Sequence, residues 1–182
     1  MRRRRLAAAT AGVVVLALPA CGADSDSVGA PSTAGAANTI HVKAVDYAFQ
    51  GVPPSVKAGS RFTLTNASAV EVHELVAIRL PDDEKRVAVD ILKDPASRGA
   101  LFASGPPAAV IVAAPSSAMP GVVQGDGTLT RPGRYLFLCS IPTGADPGAY
   151  LEAAKTATGP VQVAGGPPHS AKGMVAEVTV TS

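Results

Sequence analysis

Four side chains between positions 73 and 174 are of types that bind soft metal ions. They are one thiol, two imidazoles and one thioether, in Cys139, His73, His169 and Met174. A thiolate and two imidazoles in a trigonal arrangement, completed by a weak thioether, suit a copper ion that changes between its monovalent and divalent states. Zinc prefers a tetrahedral site without a weak ligand, so the methionine points to copper.

The N-terminus has the pattern of an export signal. Four arginines at positions 2–5 precede an apolar run at 6–20, which is short for a membrane-spanning helix and typical of a secretory signal. The run ends in Leu18-Pro19-Ala20-Cys21, which resembles the bacterial lipobox, whose cysteine is lipidated and becomes the first mature residue. We expect a signal peptide at 1–20 and a lipid on Cys21; an ordinary signal peptide followed by an unrelated cysteine is the alternative.

The sequence after Cys21 divides into a tether and one domain. Residues 21–38 are small, polar and rich in Gly and Pro, which indicates a flexible segment. Residues 39–182 have the length of a single domain. Loss of the four N-terminal arginines leaves 12 basic residues against 14 acidic ones. With no basic stripe, this balance argues against nucleic-acid binding.

The expected elements of the domain are mostly short strands. Alternating or buried apolar patterns predict strands at 39–47, 61–66, 74–80, 109–113, 121–125, 133–139 and 174–180. Helical spacing predicts one or two short helices in 82–102, broken at Pro95 and Gly99, and another at 147–155. This order predicts an all-β antiparallel sandwich or barrel with short helical insertions.

Cys139 has no disulfide partner once Cys21 is lipidated, because the chain contains two cysteines. It is then a buried inert thiol, a reactive thiol or a metal ligand. His73 opens a predicted strand, Cys139 closes one, and His169 and Met174 lie at the start of the last. One end of a sandwich can therefore collect all four donors.

The segments around the donors resemble the plastocyanin/azurin (cupredoxin) family of type 1 copper proteins. In that family a PG-x-Y-x-F-x-C strand leads into the copper loop, and residues 132–139 here read PGRYLFLC. The closing G-M-x-G-x-V-x-V strand is similar to GMVAEVTV at 173–180, and the stretch from Asn66 to His73 matches the one before the first histidine ligand. The resemblance covers most of 39–182. It implies a Greek-key, cupredoxin-like β-sandwich in which His73, Cys139, His169 and Met174 bind one type 1 copper ion.

The resemblance also implies what the protein does. We expect a monomeric electron carrier, not an enzyme, held by its lipid on the outer face of the cytoplasmic membrane and exchanging single electrons with a redox protein. His169 would be the ligand nearest to solvent and the electron exit, with residues 165–168 in a docking surface. A copper carrier or sensor without redox turnover and a metal-free interaction domain of the same fold are the alternatives. Three histidines are too few for the further copper sites of a multicopper oxidase.

Two features depart from the family pattern. Between Cys139 and His169 lie 29 residues, where family members with short loops have only a few. An insertion of this length is expected to have a structure or function of its own. Glu74 follows His73, where well-known members often have an Asn that ties the two ligand loops together. A carboxylate there would orient a ligand or raise the local negative charge.

Overall fold

The structure is a computed structural model that describes residues 38–118 and 121–182. The predicted signal peptide, the lipidation site Cys21 and all of the tether except residue 38 lie outside the described residues. Within the described part, no helix has both the length and the apolar character needed to cross a membrane.

The described residues form two sheets. Their strands are Thr39–Val45 (β1), Ala48–Gln50 (β2), Ser55–Lys57 (β3), Ser60–Asn66 (β4), His73–Arg79 (β5), Ala109–Ala113 (β6), Gly121–Gln124 (β7), Thr128–Leu129 (β8), Gly133–Leu138 (β9) and Val175–Thr181 (β10). The first sheet has the strand order β2-β1-β4-β8, and the second has the order β3-β10-β9-β5-β6-β7. The predicted β-sandwich is confirmed.

Two strand pairs depart from the predicted antiparallel arrangement. Strand β1 pairs in parallel with β4, and β3 pairs in parallel with β10, while the other strand pairs are antiparallel. The chain enters the second sheet at β3 before it returns to the first at β4. Such a crossover allows parallel pairing, which a tight hairpin does not.

The main hydrophobic core lies between the two sheets. Val42 of β1 and Leu64 of β4 are fully buried, in keeping with the alternation that predicted both strands. Phe62 of β4 and Phe137 of β9 meet across the core edge to face, with ring centroids 5.0 Å apart. An aromatic pair of this kind joins the sheets more strongly than its buried area alone would.

A second apolar cluster lies on the outer face of the second sheet. Two helices, Ala88–Lys93 (α1) and Pro95–Ala103 (α2), contribute Ile91 and Leu101 to this cluster, which also contains Ile78 and Leu136. Strands β5 and β9 are therefore covered on both faces. This double burial explains why their sequences are almost continuously apolar, a pattern usual for strands without a solvent face.

The two helices show which breaks in the helical pattern were predicted correctly. Pro95 begins α2, where its missing N–H would have no partner in any case. Asp94 caps this helix by accepting hydrogen bonds from the backbone N–H groups of Ala96 and Ser97. The expected break at Gly99 is wrong, because α2 continues through it. A single glycine costs a helix about 1 kcal/mol, which the cap and the burial of Leu101 can offset.

Candidate metal centre

Three neighbouring strands bring the predicted donors to one end of the second sheet. Strand β9 lies between β5 and β10 and is antiparallel to both, so that Val76 and Val175 pair with Leu138 from opposite sides. The beginning of β5, the end of β9 and the beginning of β10 are consequently adjacent. His73 begins β5 and Cys139 follows β9, so the topology places the first histidine beside the cysteine.

The imidazoles and the thiol converge closely. The Nδ1 atoms of His73 and His169 are 3.1 Å apart, and Cys139 Sγ is 3.3 Å from His169 Nδ1. The three side chains form a group whose ligand atoms all lie within 4.8 Å of one another, and each residue is fully buried. Donors that bind one ion at about 2.0–2.3 Å are separated by a few ångströms. The spacing of the sulfur and the nitrogens fits a single shared ion.

Met174, the predicted fourth ligand, is fully buried at the same end. Its carbonyl oxygen accepts a hydrogen bond of 3.2 Å from Cys139 N, and its own N–H donates to His169 O at 3.1 Å. Gly173 precedes it with φ of +106°, which only glycine adopts readily, and ends the 3-10 turn His169–Lys172. This turn places Met174 beside Cys139. Its role as a ligand remains a prediction.

The electrostatic surroundings prepare the nitrogen donors for a metal. Burial lowers the pKa of His73 to about 4 and also lowers the pKa of His169. Both imidazoles are therefore neutral near pH 7, and each has one unprotonated ring nitrogen that can bind a metal ion. Burial, and then the carboxylate of Glu74, raise the pKa of the Cys139 thiol. In the metal-free protein the thiol keeps its proton, which a metal ion must displace.

Glu74 ties the two ligand strands together. This agrees with the expectation that a carboxylate at this position orients a ligand. Its backbone N–H donates to Cys139 Sγ at 3.4 Å. Its side chain, on a residue that is 4% exposed, accepts hydrogen bonds from the backbone and the hydroxyl of Ser140, the former at 3.0 Å. Tyr150 donates its hydroxyl to the other carboxylate oxygen at 2.7 Å. One residue thus fixes both the cysteine sulfur and the chain that follows it.

The loop before His73 is shaped by Asn66, the residue that the family pattern singled out. Its buried side-chain amide donates to the carbonyl oxygens of Glu71 and Ala113, at 2.8 and 3.0 Å. Its side-chain oxygen accepts from Ser68 N at 2.9 Å. These bonds hold the turn that leads from β4 into β5, and they set the direction in which His73 enters the site.

The 29-residue insertion folds back over this end of the sandwich. It contains the helix Pro147–Ala154 (α3), which confirms the predicted helix at 147–155. Thr143 bonds through its backbone N–H and its hydroxyl to Pro167 O, and Gly166 N donates to Thr143 O. The two ends of the insertion therefore pair with each other, and residues 165–168 form part of this closure.

The exposed fractions of the four donors do not rank them by nearness to solvent, so the expectation that His169 is the ligand nearest to solvent stays a prediction. His169 is 0% exposed, as are His73, Cys139 and Met174. The insertion closes immediately before His169, whose N–H bonds to Ile141 O at 2.9 Å. The closed insertion therefore contributes to the burial of His169.

Tyr47 covers His169 from the turn between β1 and β2. The two rings are 5.1 Å apart edge to face, and the Lys172 ammonium lies 5.0 Å from the centroid of the Tyr47 ring. Tyr47 has a φ of 62°, a left-handed conformation that costs a bulky residue energy. The ring contact with a buried donor helps to offset this strain. No sequence signal assigned Tyr47 to the site.

Comparisons with known proteins found likeness in structure alone. No family model matches the sequence, and no curated protein matches it. An auracyanin from the photosynthetic bacterium Roseiflexus castenholzii, reduced with sodium dithionite, is 20% identical, with 81% of this chain and 100% of that chain covered and a TM-score of 0.44. Auracyanin A, a "blue" copper protein from the green thermophilic photosynthetic bacterium Chloroflexus aurantiacus, is 21% identical, with 80% and 100% covered and a TM-score of 0.43.

Auracyanin B is 19% identical, with 80% of this chain and 90% of that chain covered and a TM-score of 0.35. One thiol, two imidazoles and a neighbouring thioether are the donor types that suit a copper ion.

Proposed function

We propose that this chain is a type 1 copper protein that carries single electrons as a monomer on the outer face of the cytoplasmic membrane. The observation that supports this most strongly is the convergence of His73, Cys139 and His169 in a fully buried site beside Met174, with ligand atoms that all lie within 4.8 Å of one another. A bound copper ion supplies a one-electron couple between its monovalent and divalent states.

The protein residues supply the remaining requirements of an electron carrier. His73, Cys139 and His169 hold the ion, and their burial keeps water away from it. Glu74 and Ser140 fix the cysteine loop by hydrogen bonds. Donors fixed in this way move little when the charge of the ion changes, because outer-sphere hydrogen bonds set ligand orientation. Little rearrangement therefore accompanies each transfer.

The closed site favours an electron carrier over a copper carrier. A protein that hands its ion to a partner must present at least one donor to that partner, and the four donors here are all 0% exposed. Electrons can cross the layer formed by Tyr47 and the insertion, whereas an ion cannot do so unless this layer opens. We propose a redox protein as the partner.

Substitution of Cys139 tests the proposal. The oxidised copper-loaded protein is expected to show an intense blue thiolate-to-copper band and a type 1 electron-spin-resonance spectrum, and Cys139→Ser is expected to lose both. His73→Ala is expected to lose the band, while His41→Ala keeps it, because His41 is exposed and bonded to Thr63. A colourless wild-type protein loaded with copper would refute the proposal, and a poorly reversible redox couple would favour the carrier alternative.

The lipid anchor has a separate test that uses the other cysteine. Burial of acyl chains in the bilayer contributes about 0.8 kcal/mol per CH₂, so Cys21→Ser is expected to move the protein from the membrane fraction to the soluble fraction. The released variant is expected to remain blue. Cys139→Ser is the matched control, since it should stay in the membrane fraction without colour. A Cys21→Ser protein that still sediments with membranes would contradict the anchor.

A further inference from the structure

The outer nitrogen atoms of the two buried imidazoles face carboxylates. His169 Nε2 lies 3.4 Å from Glu71 Oε2, and His73 Nε2 lies 3.7 Å from Asp46 Oδ1. Among the described residues, neither Nε2 has a hydrogen-bond partner of good geometry, although both atoms are buried. A buried N–H without a partner loses the hydrogen bond that it would make to water in the unfolded chain, which is unfavourable. The facing carboxylates are the acceptors that these atoms can reach.

Glu71 is held in place by neutral donors. Gly144 N donates to both of its carboxylate oxygens, at 3.1 and 3.2 Å, and the Tyr47 hydroxyl lies 3.4 Å from Oε1. The residue is 8% exposed, and within the described part of the chain the basic side chain that its carboxylate contacts is His169. Its negative charge is therefore directed at the imidazole and is little screened by solvent.

We propose that Glu71 is a positioning residue that keeps the proton of His169 on Nε2, leaves the Nδ1 lone pair for the metal, and lowers the reduction potential of the site. Asp46 has the same role towards His73, with a smaller effect because its side chain is 57% exposed. This inference rests on the proposed copper function.

The physical basis is the coupling between a carboxylate and a metal-bound imidazole. A neutral imidazole has one proton, and an acceptor at one nitrogen fixes that proton and orients the ring. The same contact makes the ligand more basic, and loss of such partners typically changes metal affinity 10–100-fold. A buried negative charge stabilises the divalent ion more than the monovalent one, which lowers the potential.

Neutral isosteres of the carboxylates test the inference. We expect Glu71→Gln to lower the ratio of the affinities for divalent and monovalent copper about tenfold. This change raises the reduction potential by about 59 mV for a one-electron couple. Asp46→Asn is expected to shift it in the same direction by less. Glu152→Gln is the control, since it removes an exposed carboxylate on α3 that pairs with Lys155, and its potential should equal that of the wild type.

The relative sizes of the shifts in reduction potential of Glu71→Gln, Asp46→Asn and Glu152→Gln decide the outcome. A Glu71→Gln potential that moves no more than that of Glu152→Gln would overturn the inference. If Glu71→Gln does not fold, the exposed Asp46→Asn substitution still tests the same role at the other imidazole. If the protein does not bind copper, the proposed function fails, whereas a blue protein with unmoved potentials defeats this inference alone.

A second readout is independent of copper. ¹⁵N nuclear magnetic resonance of the metal-free protein near pH 7 is expected to show His169 with its proton on Nε2 and an unprotonated Nδ1. A neutral imidazole with its proton on Nδ1 would overturn the role of Glu71. A purely structural role of Glu71 would leave both the potential and the tautomer of His169 unchanged in the folded Glu71→Gln protein.

Discussion

Replacement of Glu74 by alanine is expected to lower the free energy of unfolding by about 2–4 kcal/mol. The substitution leaves the Tyr150 hydroxyl and Ser140 N–H without their acceptor, and a buried polar group that loses its partner costs about 1–3 kcal/mol. Burial, the largest cause of the raised pKa of Tyr150, persists in the variant, so the hydroxyl keeps its proton and still needs an acceptor. Urea denaturation of the metal-free protein measures the loss.

Two further variants distinguish the loss of the Glu74 hydrogen-bond network with Ser140 and Tyr150 from the loss of a negative charge in general. Glu152→Ala removes an exposed carboxylate from α3. The Glu152 side chain is 74% exposed and pairs with Lys155, whose side chain is 66% exposed. Such surface pairs contribute about 0–1 kcal/mol. Glu74→Gln retains one acceptor oxygen and should lose less stability than Glu74→Ala. Equal stability of Glu74→Ala and Glu152→Ala would show that the network does not hold the insertion to the sandwich.

The other large effect is expected at Phe137. Phe137→Ala should lower the free energy of unfolding by about 3–5 kcal/mol, the usual cost when a buried phenylalanine is truncated and leaves a cavity. The side chain is 0% exposed and meets Phe62 edge to face, so the loss includes the aromatic contact between the sheets. The four donors are unchanged, and the copper-loaded variant should keep its blue band below its melting temperature.

Val123→Ala is the matched control for core truncation. Val123 is a strand residue of β7 that is 46% exposed, and a surface truncation of this kind usually changes stability by no more than about 0.5 kcal/mol. Denaturation curves of the two variants should differ clearly in midpoint. A Phe137→Ala midpoint close to that of Val123→Ala would mean that the two sheets are not joined by the packing described for Phe62 and Phe137.

The sequence predicts the strands and the donor cluster because both depend on local patterns. Alternation over 39–45 and 61–66 indicates strands with one buried face. The apolar runs before Cys139 and after His73 indicate strands buried on both faces. Donors at the ends of such strands are confined to the end of a sheet. The convergence of His73, Cys139 and His169 follows from that confinement.

The surroundings of the donors depend on contacts between distant segments, which local patterns do not encode. Glu71 and Tyr47 are 24 residues apart in the chain, and they meet at His169 only because the β1–β2 turn lies over the ligand loop. The one available signal for Glu71 was its place two residues before a predicted ligand. The burial of His169 depends on how the insertion folds back on itself. The length of the insertion does not predict this path.

The position of β10 between β3 and β9 determines when the site can be assembled. Strand β10 pairs with residues 55–57 on one side and 133–138 on the other, and His169 and Met174 lie immediately before it. Contacts between such distant positions are slow to form, because a long loop must close first. During synthesis, His169 and Met174 emerge only after the segments that carry His73 and Cys139. Of the four predicted donors, a chain that has emerged only as far as residue 168 therefore offers an ion His73 and Cys139 alone.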